Sequence, residues 1–397
     1  MSVASSKLQN DWPVFPLGKL CGINIGRTPS RDRSEYWGLG YPWLSIADMN
    51  QGRYLEITKE NITDLAVREC NCRLVPVGTV LLSFKLSIGK VGISRIPLFT
   101  NEAIAALPIS DSNKLSSDYL YWALQSIDLK CGLDRAAKGL TLNKAKLVDI
   151  EIPLPPLPEQ KRIADILDRA EALRAKRRAA LAQLEELTQA IFIDMFGDPA
   201  VNPKEWLRTK LGDVIFSASD GPHVSPKYTE NGVPFLSTRH VRAGEITWED
   251  LKFISKEDAE IQWRKCKPER GDILYTKGGT TGLAATVKTD QPFAIWVHVS
   301  LLKPDPEKVD SIWLESMLNN EFCYRQSQVL THGIANRDLG LTRMVKIKIF
   351  HPPLPLQQEF SRRVTAVEKL KAVHKASLAE LDELFASLQY RAFGGEL

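Results

Sequence analysis

The stretch PPLPEQKRIADILDRAEALRAKRRAALAQLEELTQAIFIDMFG, Pro155 to Gly197, returns without a gap as PPLPLQQEFSRRVTAVEKLKAVHKASLAELDELFASLQYRAFG, Pro352 to Gly394. The offset is 197 throughout and 16 of the 43 positions are identical, so the chain contains a duplicated unit. Proline cannot sit in a helix interior, and both Pro-rich runs stop where an unbroken helical pattern begins, which makes them elbows. In the first copy apolar residues fall at Ile163, Leu167, Ala170, Leu173, Leu184 and Leu187; in the second at Phe360, Val364, Val367, Leu370, Leu381 and Leu384. That alternation of three and four is a seven-residue seam, and a narrow apolar stripe needs an opposing helix. The other copy is the expected partner, antiparallel, along a helix of about 57 Å at 1.5 Å per residue. Arg177 and His374 occupy the same polar gap in both seams, either to fix register or to reach outward.

Working outward, the segments before each helix also correspond. Trp12...Leu17-Gly18 matches Trp206...Leu211-Gly212, and Tyr41-Pro42-Trp43-Leu44-Ser45 matches Val233-Pro234-Phe235-Leu236-Ser237. Pro76 to Leu81 aligns with Glu269 to Leu274, and Ser87-Ile88-Gly89 with Thr280-Thr281-Gly282. Runs of β-branched and apolar residues at 78–84, 104–109, 272–276 and 297–302 are bounded by turn formers and read as strands; 117–127 and 311–320 read as helices. The class is α+β, with four segments: 1–152, a first variable head; 153–197, elbow and long helix; 198–351, a second head; and 352–397, a second elbow and long helix.

Composition bounds the chemistry. The 397 residues are 44% hydrophobic and 25% charged, with a net charge of +4, as in a globular protein with no basic block. No apolar run approaches a membrane span, and the N-terminus has no signal-peptide core, so a cytoplasmic protein is expected. Six scattered cysteines suggest reduced thiols, and no spacing suggests zinc. Gly89-Lys90 is followed by Val91, so there is no phosphate loop; no Asn/Asp-Pro-Pro-aromatic element occurs; Asp305 and Glu307 form no carboxylate cluster with strand context. No catalytic residue, metal ligand or cofactor is assigned to this chain.

Two divergent heads, two PPLPxQ elbows with long helices ending in Phe-Gly, the segment Gly26-Arg27-Thr28-Pro29...Tyr36-Trp37-Gly38...Pro42-Trp43-Leu44-Ser45...Asp48 and the segment Asp220-Gly221-Pro222-His223-Val224-Ser225-Pro226...Gly232-Val233-Pro234-Phe235-Leu236 together resemble the specificity subunits of type I restriction-modification enzymes. The resemblance spans essentially the whole chain. It implies two target recognition domains, each reading one half of a bipartite double-stranded DNA site, and an antiparallel coiled coil that sets the gap. It also implies docking to two methyltransferase subunits, which hold S-adenosylmethionine, and to restriction subunits, which use ATP and Mg. Leu356 stands where the first elbow has Glu159, so the elbow carboxylate is not shared. Two readings stay beside this one: a related methyltransferase-only or fused (type IIB/IIG-like) system, and a coiled-coil scaffold that binds proteins alone.

Base reading needs donors and acceptors on loops that enter the major groove, and phosphate anchoring needs cations, hydroxyls and free N–H groups. In the first head the candidates are Arg27, Thr28, Arg31, Arg33, Lys85, Ser87, Lys90 and Lys138. In the second they are His223, Lys227, Arg239, His240, Arg242, Lys277, Thr280, Thr281, His332 and Asn336. The loops Ser83 to Lys90 and Thr276 to Gly282 are the matched pair among them; the same residues would also suit a tight hairpin. Trp37, Trp43 and Phe235 are assigned to the core.

Overall fold

A computed structural model describes residues 12–85, 87–127, 129, 134–136, 139–223, 226–333 and 337–397. The chain divides into two compact units: Met1–Arg178 with Ala376–Leu397, and Ala179–Lys375. Lys138 and Asn336 lie outside the described residues.

In the first unit a five-stranded sheet has the order Asn24–Ile25, Ile104–Leu107, Val80–Ser83, Val91–Ser94, Tyr54–Leu55. Beside it Glu60–Ile62, Trp37–Leu44 and Phe99–Thr100 form a second sheet, and Val14–Pro16 pairs with Glu151–Pro153. The strand Val80–Ser83 is buried on both faces, which suits its continuous apolar run. The helix Ser117–Ser126 starts at Ser116, whose hydroxyl accepts from the Tyr119 N–H at 3.1 Å.

The second unit repeats this plan. Ile215–Asp220, Val299–Pro304, Ile273–Thr276 and Ala284–Thr286 form one sheet; Tyr228–Thr229, Lys252–Ile254, Val233–Leu236 and Ala294–Ile295 form another; Leu207–Lys210 pairs with Lys348–His351. The helix Ser311–Leu318 is capped by Asp310, and a helix not expected from the sequence, Glu321–Leu330, follows it. The α+β class and the strand and helix positions read from the sequence are all present.

The long helices are Leu157–Phe196 and Leu354–Gly394, each with the last elbow proline in its first turn, where a missing N–H costs nothing. Within each unit a half of one runs antiparallel to a half of the other. In the first unit Arg174 Nε donates to Asp382 at 2.6 Å, its guanidinium lies 4.2 Å from the Phe385 ring, and Arg162 donates to the Leu397 carbonyl. In the second Lys371 Nζ lies 3.1 Å from Glu185, and Phe360 packs against Phe192 and Phe196 with ring centroids 5.5 Å away.

The seam these contacts define differs in phase from the one expected. Along the first helix the inward positions run 163, 167, 170, 174, 177, 181, 184, 188, 191 and 195, and along the second 360, 364, 367, 371, 374, 378, 381, 385, 388 and 392. Ile163, Leu167, Ala170, Phe360, Val364 and Val367 are buried, and Leu184 and Leu381 are half-buried, as the seam requires. Leu173, Leu187, Leu370 and Leu384 are exposed and do not belong to it. Each sits one residue ahead of a true inward position: Arg174, Thr188, Lys371 and Phe385. The cations at 174 and 371 can face inward because the opposite helix supplies Asp382 and Glu185, and because their long stems carry the charge to the rim.

Candidate nucleic-acid interface

Both heads are joined to the bundle by the same buried glutamine. Gln160 accepts from the Ser116 N–H at 3.0 Å and donates to the carbonyls of Lys114, 2.7 Å, and Pro155, 2.8 Å. Its counterpart Gln357 accepts from the Asp310 N–H at 2.9 Å and donates to the Pro352 carbonyl at 2.8 Å. At the other end of each head, the Leu17 N–H donates to the Ile150 carbonyl and the Leu211 N–H to that of Ile347.

The matched loops are hairpins of one design. Ser83 Oγ accepts from the Lys90 N–H at 2.9 Å and donates to the Ser87 carbonyl; Thr276 Oγ1 accepts from the Leu283 N–H at 2.9 Å. Gly89 and Gly282 return to the Ser83 and Thr276 carbonyls at 3.0 Å with φ of 93° and 95°, a left-handed turn that needs glycine. At the loop base the two heads part. Phe84 is buried in the apolar core that Ile25 also packs against. The aligned Lys277 is buried too, and its ammonium lies 2.9 Å from Asp220 and 3.4 Å from Asp338; Asp220 also accepts from Lys265 at 2.7 Å. Burial raises the Asp220 carboxyl pKa, but hydrogen bonds and charge from Lys265 and Lys277 outweigh it and hold that group below its usual value.

Several candidates named from the sequence are taken up by the protein itself. Lys277 is committed to its buried ion pairs. Thr281 is buried, with its hydroxyl 3.1 Å from that of Thr331. His240 is buried, and its Nδ1 accepts from the Ser237 N–H at 2.9 Å, as Asp48 accepts from Ser45 in the first head. Burial, then the charge of Arg239, push the His240 imidazole below its usual value. In this arrangement the three side chains are turned into the protein. Arg31 forms a two-pronged pair with Glu60 while lying 3.7 Å from the Trp37 ring; Arg33 is held by Glu35 and Glu69 at 2.7 Å; Thr28 donates to Glu102. Lys90 donates to Asn50 Oδ1 at 2.7 Å, and Lys85 lies 5.3 Å from the Phe84 ring.

Others face solvent. Arg27, Ser87, His223, Lys227, Arg239, Arg242, Thr280 and His332 are exposed, Arg239 with one bond to the Asp250 carbonyl at 2.7 Å and His223 with its Nε2 3.8 Å from Asp220. Arg337 was missed in the sequence: it is exposed, and its carbonyl accepts from Gly279 N–H at the tip of the second hairpin, 3.1 Å away. Its proximity to Gly279 is a pairing across 58 residues, invisible to local pattern. Trp43 and Phe235 are core residues as expected, and Trp37 is half-buried beneath Arg31.

Among the described residues no group of three or more His, Cys, Asp or Glu could hold a metal ion, and the five described cysteines are unbridged. No helix there is long and apolar enough to cross a membrane. The surface offers cations, hydroxyls and hairpin N–H groups to an anionic partner.

Comparison with known proteins fits these features. The chain is 26% identical over 415 residues to the type I restriction enzyme MjaIX specificity subunit of Methanocaldococcus jannaschii, covering 98% of this chain and 94% of that one. It is 22% identical over 438 residues to the EcoKI specificity subunit of Escherichia coli K12, covering 100% and 91%. A crystal structure of a type I restriction-modification S subunit from M. genitalium shares the fold, with a TM-score of 0.59 over 98% of both chains at 15% identity. The family model for the type I restriction modification DNA specificity domain matches twice, at residues 9–186 and 203–383, so the duplicated chain belongs to that family and is a specificity subunit without catalytic chemistry of its own.

Proposed function

We propose that each head reads one half of a bipartite, asymmetric double-stranded DNA site, and that the paired helices set the gap between the halves. The observation that carries this is a repeated scaffold, from the buried elbow glutamine to the serine/threonine-braced hairpin, holding loops of different chemistry in its two copies. A shared frame with unlike contents suits two different half-sites. In this reading the segments 1–152 and 198–351 are the recognition domains, and 153–197 and 352–397 the spacing and docking elements. Contact falls on the exposed set, Arg27, Ser87, Lys227, Arg242, Thr280, His332 and Arg337, with Lys85 and Lys90 beside them; Arg31, Arg33 and Thr28 hold the loop of the first head in shape.

Two methyltransferase subunits dock on the helices and bring S-adenosylmethionine, and restriction subunits bring ATP- and Mg-dependent cleavage, in the cytoplasm. Neither chemistry belongs to this chain. The test is to exchange residues 1–152 for the head of another specificity subunit and to map methylated bases across the host genome. One half of the modified sequence should change and the other persist. A change in both halves, or in neither, would overturn the modular reading.

A further inference from the structure

The second unit contains a cavity of about 700 Å³ between its head and its helices. The first unit fills the matching place with its own side chains. There Trp122, Phe385 and Arg174 pack together, with Trp122 and Phe385 ring centroids 5.6 Å apart, and Trp122 Nε1 donates to Asp168 at 2.8 Å. The guanidinium of Arg53 completes the cluster, paired with Asp118 and Asp168 and 4.9 Å from the Tyr121 ring.

Alignment through the shared caps and hairpins gives the counterparts. Trp122 becomes Ser316, Phe385 becomes Thr188, Tyr121 becomes Glu315, and Arg53 becomes Glu245. All four replacements line the cavity. One also holds it open. In the first unit the Ile93 N–H donates to the Arg53 carbonyl at 2.7 Å and closes that strand onto the sheet. In the second, the matching Thr286 N–H is taken by the Glu315 carboxylate, so the strand Glu245–Ile246 does not pair there.

The charges around the cavity are unevenly satisfied. Lys371 is held by Glu368 at 2.8 Å and Glu185 at 3.1 Å, Lys375 by Glu245 at 3.5 Å, and Lys288 by the Gly244 carbonyl at 3.3 Å. Glu315 is only 5% exposed; its Oε2 accepts from Thr286, and its Oε1 opens on the cavity beside Gly244. Thr188 Oγ1 is buried without a partner. A carboxylate oxygen that opens on a cavity can take a donor from a ligand, and a planar cation suits it best, by a charge-assisted bond below and aromatic stacking beside it. Trp248 supplies the aromatic wall.

We propose that this cavity binds a guanidinium group, the chemistry that Arg53 supplies from within the first unit. The ligand places its N–H donors on Glu315 Oε1 and Thr188 Oγ1 and its face toward Trp248. No bond is made or broken.

The test is titration of the full-length chain with N-acetylarginine methylamide, with agmatine, and with N-acetylcitrulline methylamide as the uncharged isostere, read by calorimetry and thermal unfolding. The arginine compound should bind and raise the melting temperature, and the citrulline compound should not. Binding of the amide alone identifies the source as an arginine of a protein segment; binding of agmatine as well identifies a free small molecule. Glu315→Gln keeps an acceptor for Thr286 and should weaken binding about tenfold or more, the loss expected for a charged hydrogen bond. Ser316→Trp, or Thr188→Phe if the first is poorly folded, should restore the filling seen in the first unit, abolishing binding while raising thermal stability. No binding by either guanidinium compound, or binding untouched by both variants, overturns the proposal.

Discussion

Ile25 and Phe84 in the first head stand where Asp220 and Lys277 stand in the second: side chains of one apolar core at one hairpin base, a buried ion pair at the other. Outside that spot the hairpins share their hydroxyl brace, their left-handed glycine and their return hydrogen bond. The difference teaches that the frame tolerates exchange of a whole interaction type provided both partners change together. The same holds on the helices, where Glu171–Arg174–Asp382 in one unit corresponds, position by position, to Glu368–Lys371–Glu185 in the other.

The comparison is broken most severely by changing one partner alone. Lys277→Phe leaves Asp220 buried with half its compensation and should cost about 3–5 kcal/mol, the usual penalty for splitting a buried pair. Adding Asp220→Ile recreates the first head's pairing and should recover most of that loss in urea unfolding; an additive double variant would show that the sites are not equivalent. Gln160→Ala strands one N–H and two carbonyls, and should cost about 3 kcal/mol or more by the same measurement. Gln357→Ala, with one N–H and one carbonyl to lose, should cost less. Arg174→Ala should cost only about 1 kcal/mol, because Asp382 is well exposed and solvent screens the pair; equality with the Gln160 variant would show that the seam depends on that charge.

Acid sharpens the contrast most gently. The Asp220 carboxyl is held below its unfolded value of 3.8. A depressed carboxyl contributes stability that is complete above the unfolded value and is lost as pH falls through the folded one. As pH falls below about 4 the Thr276 hairpin should therefore gain amide exchange ahead of the Ser83 hairpin, whose base holds the Ile25 and Phe84 side chains. Simultaneous opening of the two would count against the assignment.

Much of the architecture was legible in the sequence because it is written twice. The elbows, the long helices, the strands near residues 80 and 273 and the capped helices after Ser116 and Asp310 all follow from proline, periodicity and turn formers. The seam's phase was misread at Leu173, Leu187, Leu370 and Leu384, because leucine there mimics an inward residue, and Arg174 and Lys371 are made acceptable only by carboxylates about 200 residues away in the chain. His240, Thr281 and Lys277 turn inward, which local sequence does not reveal. A cation or hydroxyl in a loop looks available until a distant element covers it, as Asp220 does for Lys277 and Thr331 for Thr281, whereas His240 is turned in by its own Ser237 turn. The helix Glu321–Leu330 carried a usable signal in its Asn320 cap, whose side chain accepts from the Phe322 N–H at 3.0 Å.

The elbow glutamines bear on how such a protein can change its target. Gln160 and Gln357 grip main-chain atoms alone, so these bonds are indifferent to which side chains the adjoining head carries. A foreign head whose backbone follows the same path would keep them. An exchange of heads at this joint thus keeps its polar anchor, and it is the packing of side chains such as Trp122 on Phe385 that must be matched anew.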